Sequence, residues 1–519
     1  YTDQFGILKE DILGISQLDK HQAILKLIKK NTGVDIDLNR IPFDDDKVFK
    51  MFHKGLNEDV FQFGSHGLKN YSKETKPDTF EELVAMTALY RPGPMESGFH
   101  RDFSSIKSGR KEPNFLWGME EVTKDTFGLF IYQEQIMKAV MVGGLSAVES
   151  DQTRTYMKKF DKKQLALFGE KFVEGMVSKG CERSEAESIW SKLLAFSGYG
   201  FNKSHAAAYT MISYQCQWLK VNYPLEFWTV ALNFGKEDVD IPYYLKEIKD
   251  FGNKITIDTP NINSSTEEFV CDPKKSKIYW SLRKIKGVGE VACSNIVLER
   301  ENNGEFKDFE DFLSRVPKNK VNKRVVKSLI ISGAFDDLEE INNKKDRKNL
   351  IEKYYSLTKN DISECLFCNH ELSNKNYYWT MCQKDLIGNG DVNFEDIVSS
   401  LDISEELKEN YISVEEIKKL KIQSKKFYDY GNLKTACGFL KDIKVIKSKG
   451  KGGTFCMLKI ENNNDLLNVV VWKDEYNILS QYIETLSNKL ILITGRIGID
   501  DYRNENTLYL SENSEIIEI

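Results

Sequence analysis

The sequence predicts an α+β protein of several domains, mostly helical in its first half and closing in a small β-barrel. Three patterns carry that expectation. Helical periodicity dominates to about residue 235, a glycine turn joins two helices near residue 287, and apolar residues alternate in five runs from residue 436 onward. A chain of 519 residues suffices for about three or four domains, each with its own core. The hydrophobic content of 41% and charged content of 29% are those of a globular protein. No run approaches the ~20 apolar residues that span a bilayer, so no membrane partner is expected. The start, YTDQFGILKE, has neither the basic residues nor the apolar core of a secretory signal, and its lack of an initiator methionine suggests a longer or trimmed natural chain. Nine cysteines are dispersed, with a single C-x-x-C at Cys365 and Cys368, which points to a reducing cytoplasm. The net charge of −6 gives no global nucleic-acid signature, but phosphate binding needs only a local basic face.

Taken in order, residues 5–15 (FGILKEDILGI) are short and apolar and predict a buried strand closed by Gly14. Asp11 inside it is costly unless it is paired or binds a metal. Lys9, two residues back on the same face, offers a plain salt bridge. Helical patterning begins with QLDKHQAILKLIKKN and is punctuated by RPGP (91–94), GG (143–144) and GYG (198–200). In ALYRPGPM the two prolines predict a rigid loop presenting Arg91, suited to phosphate or carboxylate and equally to a surface turn. In GYGFNKSHAAAY, Ser204 is the expected N-cap of a helix that continues through MISYQCQWLKVNY until Pro224 stops it. A helix start offers free N–H groups to phosphate, Lys203 adds charge, His205 a donor, and the alanines leave the surface thin. A capped core helix with a solvated lysine fits the same residues.

Residues 255–282 look extended. From residue 283, RKIKGVGEVACSNIVLERE is a helix-hairpin-helix in which Lys286, Gly287, Val288 and Gly289 can turn backbone N–H groups toward a DNA phosphate without reading bases. The second unit, RVPKNKVNKRVVKSLIISGAFDDL, carries Arg315, Lys318, Lys320, Lys323, Arg324 and Lys327 without an acid among them, which favours duplex binding. Residues 340–432 are rich in Asn, Lys and Glu. Cys365 and Cys368, with His370 and Cys382, offer a possible zinc set lacking a second C-x-x-C, and a reduced, unliganded set is the simpler reading. ACGFLKDIKVIKS, TFCMLKIEN, LLNVVVWKD, KLILITGRIGI and TLYLSE are five strands, with the helix EYNILSQYIETL after the third. That is the plan of an OB-fold barrel. Its first turn, KSKGKGGT (447–454), is basic and reads as a hairpin turn rather than a P-loop.

The runs LKEDILGI, VFQFGSHGL, ALYRPGPM, IYQEQIM, FVEGMVSKG, GYGFNKSHAAAY, IKGVGE and ISGAFDDL, in this order and followed by the OB pattern, resemble the bacterial DNA polymerase III α subunits, the C-family replicative polymerases. The resemblance runs nearly end to end and is weakest over residues 340–432. It implies a layout: residues 1–16 the last palm strand, 17–270 the fingers, 271–338 a tandem helix-hairpin-helix gripping duplex, 339–432 a connecting, clamp-proximal region, and 433–519 the OB domain near the emerging template. By motif, Asp11 matches the third metal-binding aspartate of the palm and Lys9 a lysine beside the incoming nucleotide. Arg91, Asn202, Lys203, His205 and Tyr209 fall in motifs lining the nucleotide pocket, and Arg154 and Lys159 in the family's Arg-Arg-Ala-Met-Gly-Lys run. Lys320, Lys323 and Arg324 join the hairpin glycines as duplex contacts. Thr155, Lys158, Gly64 and Glu10 depart from the family pattern, which implies a divergent member, plausibly phage-encoded.

The family's Pro-Asp-x-Asp motif is missing here, so Asp11 is one of three expected Mg²⁺ carboxylates, and one aspartate cannot build a two-metal site. The resemblance therefore implies the C-terminal part of a split polymerase in a bacterial or phage-infected cytoplasm. Its partners would be primer-template DNA, deoxynucleoside triphosphates and an N-terminal polymerase chain. A sliding clamp is a further implied partner, through Gln383-Lys384-Asp385-Leu386-Ile387, although that stretch also reads as an ordinary helix turn. The alternative is a non-catalytic DNA-binding replisome accessory derived from a polymerase. A repair nuclease would need a second acidic cluster, which the sequence lacks.

Overall fold

The computed structural model describes residues 14–159, 161–197, 200–236, 239–250, 255–388, 394–420, 433–447, 454–462, 465–487, 489–500, 505–510 and 514–519. Lys9, Asp11 and the strand expected around them lie outside the described residues, as do Gly198, Tyr199 and most of KSKGKGGT. The chain packs as two compact units, one of Tyr1–Gly235, Glu247–Thr256 and Cys271–Lys277, the other of Lys236–Lys246, Ile257–Val270 and Ile278–Ile519.

The described part of the first unit is helical apart from short strand segments after residue 255, and its helix ends follow local chemistry. Ser16–Thr32 stops at Gly33, which takes the left-handed conformation. Asp45 accepts from Lys47 N to start Asp46–Lys54, and Thr79 accepts from Glu82 N to start Phe80–Leu89. RPGP is no loop: Pro92 opens a short helix, Pro92–Glu96, where its missing N–H costs nothing, and Arg91 is the residue before it. These helices enclose a core around Phe49, Phe52, Phe63, Met86, Phe103 and Tyr214. A second core gathers Ile136, Phe172, Met176, Trp190 and Leu193 from the helices between Gln133 and Ser197, with Met119 from just before Glu120–Thr123. Here the first glycine of FVEGMVSKG is required, because a Cβ on Gly175 would stand 1.9 Å from Gly143 O.

The Lys203–Asn222 helix runs along the first core and buries Ala206, Tyr214, Cys216 and Leu219. Its N-cap is Asn202 rather than the expected Ser204: Asn202 Oδ1 accepts from His205 N at 2.8 Å. The helix ends before Pro224, which opens the next helix, Pro224–Phe234. Across this core His21 is buried with Nε2 3.1 Å from Cys216 Sγ. Burial, with Lys20 adding repulsion, lowers its pKa from 6.5 to about 4. The unfolded chain takes up this proton below pH 6.5 while the folded chain resists it to about 4. Stability from this group is therefore full above pH 6.5 and falls by about 3 kcal/mol as pH drops to 4. Urea midpoints measured from pH 7 to 4.5 should show this decline in the parent and a flatter profile in His21→Gln.

In the second unit, Glu290–Asn303, Phe309–Arg315 and Lys323–Ser332 form the hairpin region, with Phe306, Phe309, Phe312 and Phe335 edge-packed between them. The stretch expected to be extended holds only the short strands Thr256–Ile257, Val270–Asp272 and Lys277–Tyr279. In ISGAFDDL, Gly333 ends its helix at φ +91°, and a Cβ there would lie 2.5 Å from Arg347 Nη2. Arg347 is fully buried, bonded to Asp336, Ile331 O and Gln383.

The C-terminal strands are β1 (Lys434–Lys447), β2 (Thr454–Asn462), β3 (Asp465–Val471), β4 (Leu490–Asp500), β5 (Glu505–Tyr509) and β6 (Ile516–Glu518). β1 pairs antiparallel with β2 and β4, β2 with β3, and β4 with β5, while β3 and β5 pair in parallel. The pairings return on themselves, so this mixed sheet is barrel-like, with Leu440, Leu458, Val469, Ile491, Ile493 and Leu508 inside. The Lys473–Thr485 helix follows β3, as expected, and places Ile483 in that core. β6, which pairs with β4, was not anticipated.

Candidate functional site

The start of the Lys203–Asn222 helix is held from behind by the IYQEQIM segment. Phe201 bridges Tyr132 in parallel: its N–H donates to Ile131 O at 3.0 Å and its carbonyl accepts from Gln133 N at 2.9 Å. Gln133 Nε2 donates to Gly200 O at 3.2 Å, and both oxygens of Glu134 accept from Lys203 N at 3.0 Å. Gln135, buried, accepts from Ile131 N and Tyr132 N and donates to Thr126 Oγ1.

On this frame several of the expected residues come together. The Arg91 guanidinium lies over the Phe201 ring, 4.5 Å from its centroid, and its Nε donates to Ala88 O. Burial pulls the Arg91 pKa below the ordinary guanidinium value. Phe201 meets His205 edge-on at 5.5 Å, His205 lies 4.2 Å from Tyr209, and Tyr209 continues to Phe61 at 5.4 Å. Lys203 Nζ sits 5.4 Å above the Tyr132 ring. Arg91, His205 and Tyr209 are thus tied to one aromatic run, with Lys203 over Tyr132, whose backbone bridges Phe201, a pattern suited to a ligand with anionic and planar parts. Asn202 is exposed, but its side chain is spent on the cap. The helix start is not the open phosphate cradle expected, because the Glu134 carboxylate takes the first N–H. Arg154 bonds Asp151 on its own helix at 2.9 Å, and Lys159 ends that helix exposed. Phe201, Tyr132 and Glu134 were missed by sequence reasoning. IYQEQIM was the available signal.

In the second unit, Gly287 adopts φ +93° and packs so closely that a Cβ would lie 2.8 Å from Ser328 Oγ. The first hairpin thereby rests on the second, beside Arg324. Gly289 precedes Glu290–Asn303, and a Cβ there would meet nothing within 4 Å. Lys286, Lys320 and Arg324 are exposed. Val288 buries its side chain, and its N–H bonds Ile285 O, so only the turn's shape is its contribution. The Lys286 N–H is likewise turned inward, onto Leu386 O at 2.9 Å. Lys323 lies over Tyr355 at 4.4 Å and bonds Glu364 at 3.1 Å. Arg315, counted in the basic run, is internal, bonded to Glu299 and Asp311 and stacked on Phe306.

The possible zinc set does not assemble: among the described residues no three His, Cys, Asp or Glu groups are placed to hold a metal. Cys365 and Cys368 are buried neighbours. The hydrogen bond from Cys368 lowers the Cys365 pKa to about 5 and raises that of Cys368. Cys382 is hydrogen-bonded to Tyr378, which stacks on His370 at 4.7 Å. Gln383 and Ile387 are buried in the Asn376–Ile387 helix, so QKDLI is a packed helix turn. Among the described residues no helix is long and apolar enough to cross a membrane.

The helical frame and the paired hairpins define the class. Residues 17–180 match the family described as the bacterial DNA polymerase III alpha subunit finger domain, and residues 254–349 match a helix-hairpin-helix motif. The chain carries the fingers and helix-hairpin-helix of a C-family DNA polymerase. It is homologous to the DNA polymerase III α subunits of bacteria: 31% identical over 510 residues to that of Aquifex aeolicus (98% of this chain, 42% of the relative). It is 32% identical to the Borreliella burgdorferi subunit (95% of this chain, 43% of the relative) and 38% to the Campylobacter jejuni subunit (65% and 28%). The chain thus spans less than half the length of these relatives.

Proposed function

We propose that this chain supplies the incoming-nucleotide surface and the duplex grip of a polymerase that extends a primer 3′ end on a template. The observation that carries it is the convergence of Arg91, Lys203, His205 and Tyr209 on one helix start within a finger-domain match. A half-desolvated Arg91 and Lys203 would neutralise the triphosphate as charge develops on the leaving pyrophosphate. His205 and Tyr209 would border the sugar and base. On this reading residues 17–270 are fingers, 271–338 grip duplex through Lys286, Gly287, Gly289, Lys320, Lys323 and Arg324, 339–432 connect, and 433–519 lie near the template strand. Mg²⁺ would activate the primer hydroxyl and stabilise pyrophosphate. Asp11 would be one of its ligands, its fellow carboxylates coming from outside these residues.

In primer extension by the polymerase carrying this chain, Arg91→Ala should raise the dNTP KM by roughly 10–100-fold, the loss of charge-assisted contacts to phosphate. Primer-template affinity should stay unchanged. An unaltered dNTP KM would overturn the assignment and favour a non-catalytic DNA-binding role.

A further inference from the structure

Glu134 is the second residue of its own helix, Gln133–Val142, and its carboxylate also caps the Lys203–Asn222 helix. Two helix N-termini, each the positive end of a dipole, therefore meet at one shared carboxylate. Without those oxygens the Lys203 N–H would lose its acceptor. The segment it fixes is short and consequential. Phe201, two residues before Lys203, is the platform under Arg91, and Lys203 itself reaches over Tyr132, two residues before Glu134.

We propose that Glu134 is a positioning residue for the nucleotide site: it sets the spacing between Arg91, Lys203 and His205 without touching the nucleotide. This rests on the nucleotide-site reading above. Because the carboxylate fills the helix start, the triphosphate meets side chains there rather than the Lys203 N–H. Glu134 thus acts through geometry and needs only an acceptor oxygen at that place. A glutamine keeps that oxygen; an alanine does not.

The test is steady-state primer extension by the complete polymerase carrying this chain, with Glu134→Ala, Glu134→Gln and Lys203→Ala, and thermal melting of each. Glu134→Ala should raise the dNTP KM about tenfold or more while kcat falls less than about threefold and primer-template affinity holds, the signature of lost ground-state positioning. Glu134→Gln should stay within about threefold of the parent. A KM raised by Glu134→Gln as much as by alanine overturns the proposal, and where Glu134→Ala folds poorly a rise of about tenfold in Glu134→Gln does the same. An unchanged or lowered KM in Glu134→Ala also overturns it, the lowered value marking the carboxylate as a repelling charge. Lys203→Ala separates the two levels. If it raises the KM and Glu134→Ala does not, only the positioning role fails; if Lys203→Ala has no effect, the nucleotide-site reading itself fails.

Discussion

Replacing Lys220 by methionine should destabilise the first unit by about 3–5 kcal/mol, as expected when one partner of a buried ion pair is removed. Lys220 is wholly buried, yet its ammonium is fully employed. It bonds the Glu247 carboxylate, Glu58 O at 2.6 Å and Leu56 O at 3.2 Å, with the Trp228 ring 4.9 Å away. Glu247 in turn accepts from Glu58 N at 2.8 Å. Burial drives the Lys220 pKa down and the Glu247 pKa up, and in each case the partner's charge and hydrogen bond oppose that drift. Methionine fills the volume but leaves a buried carboxylate and two carbonyls short of donors. The double variant Lys220→Met/Glu247→Gln should recover part of the loss, because the stranded charge is gone. Urea midpoints check both, and a loss below about 1 kcal/mol in Lys220→Met would show that the site rehydrates.

Much of the fold was legible because its signals are local. The five C-terminal strands alternate over seven or more residues, or sit against clear turns, and the helix after the third strand falls where it was expected. β6 was not legible: three residues at a chain end, Ile516–Glu518, carry no period, and only pairing with β4 makes them a strand. At GYGFNKSHAAAY, Asn202 and Ser204 are both good caps, and local chemistry alone does not rank them. The choice follows from Glu134, some seventy positions earlier, whose bond to Lys203 N fixes where the helix begins. Charge was the least legible property. Arg315 and Lys323 belong to one basic run, but Arg315 is consumed by Glu299 and Asp311, and Arg347, in a run of mixed polar residues, is the buried hub of its region. A lysine or arginine advertises its charge in sequence, whereas its partner is set by tertiary packing. The same holds for QKDLI, where Gln383 is buried and accepts from Arg347.

If Asp11 ligates Mg²⁺ as proposed, Asp11→Asn should have the largest effect on activity, because such a carboxylate supplies several kcal/mol of transition-state stabilisation, about 10³-fold or more in rate. The substitution keeps shape and removes charge, so folding and primer-template binding should be preserved. The decisive measurement is the single-turnover rate of primer extension by the polymerase carrying this chain, parent against Asp11→Asn, at saturating dNTP and primer-template. A fall of about 10³-fold or more with unchanged DNA affinity is the result expected of a chain that completes a polymerase active site. An extension rate equal to the parent's would contradict that claim and leave the chain a DNA-binding relative of the enzyme.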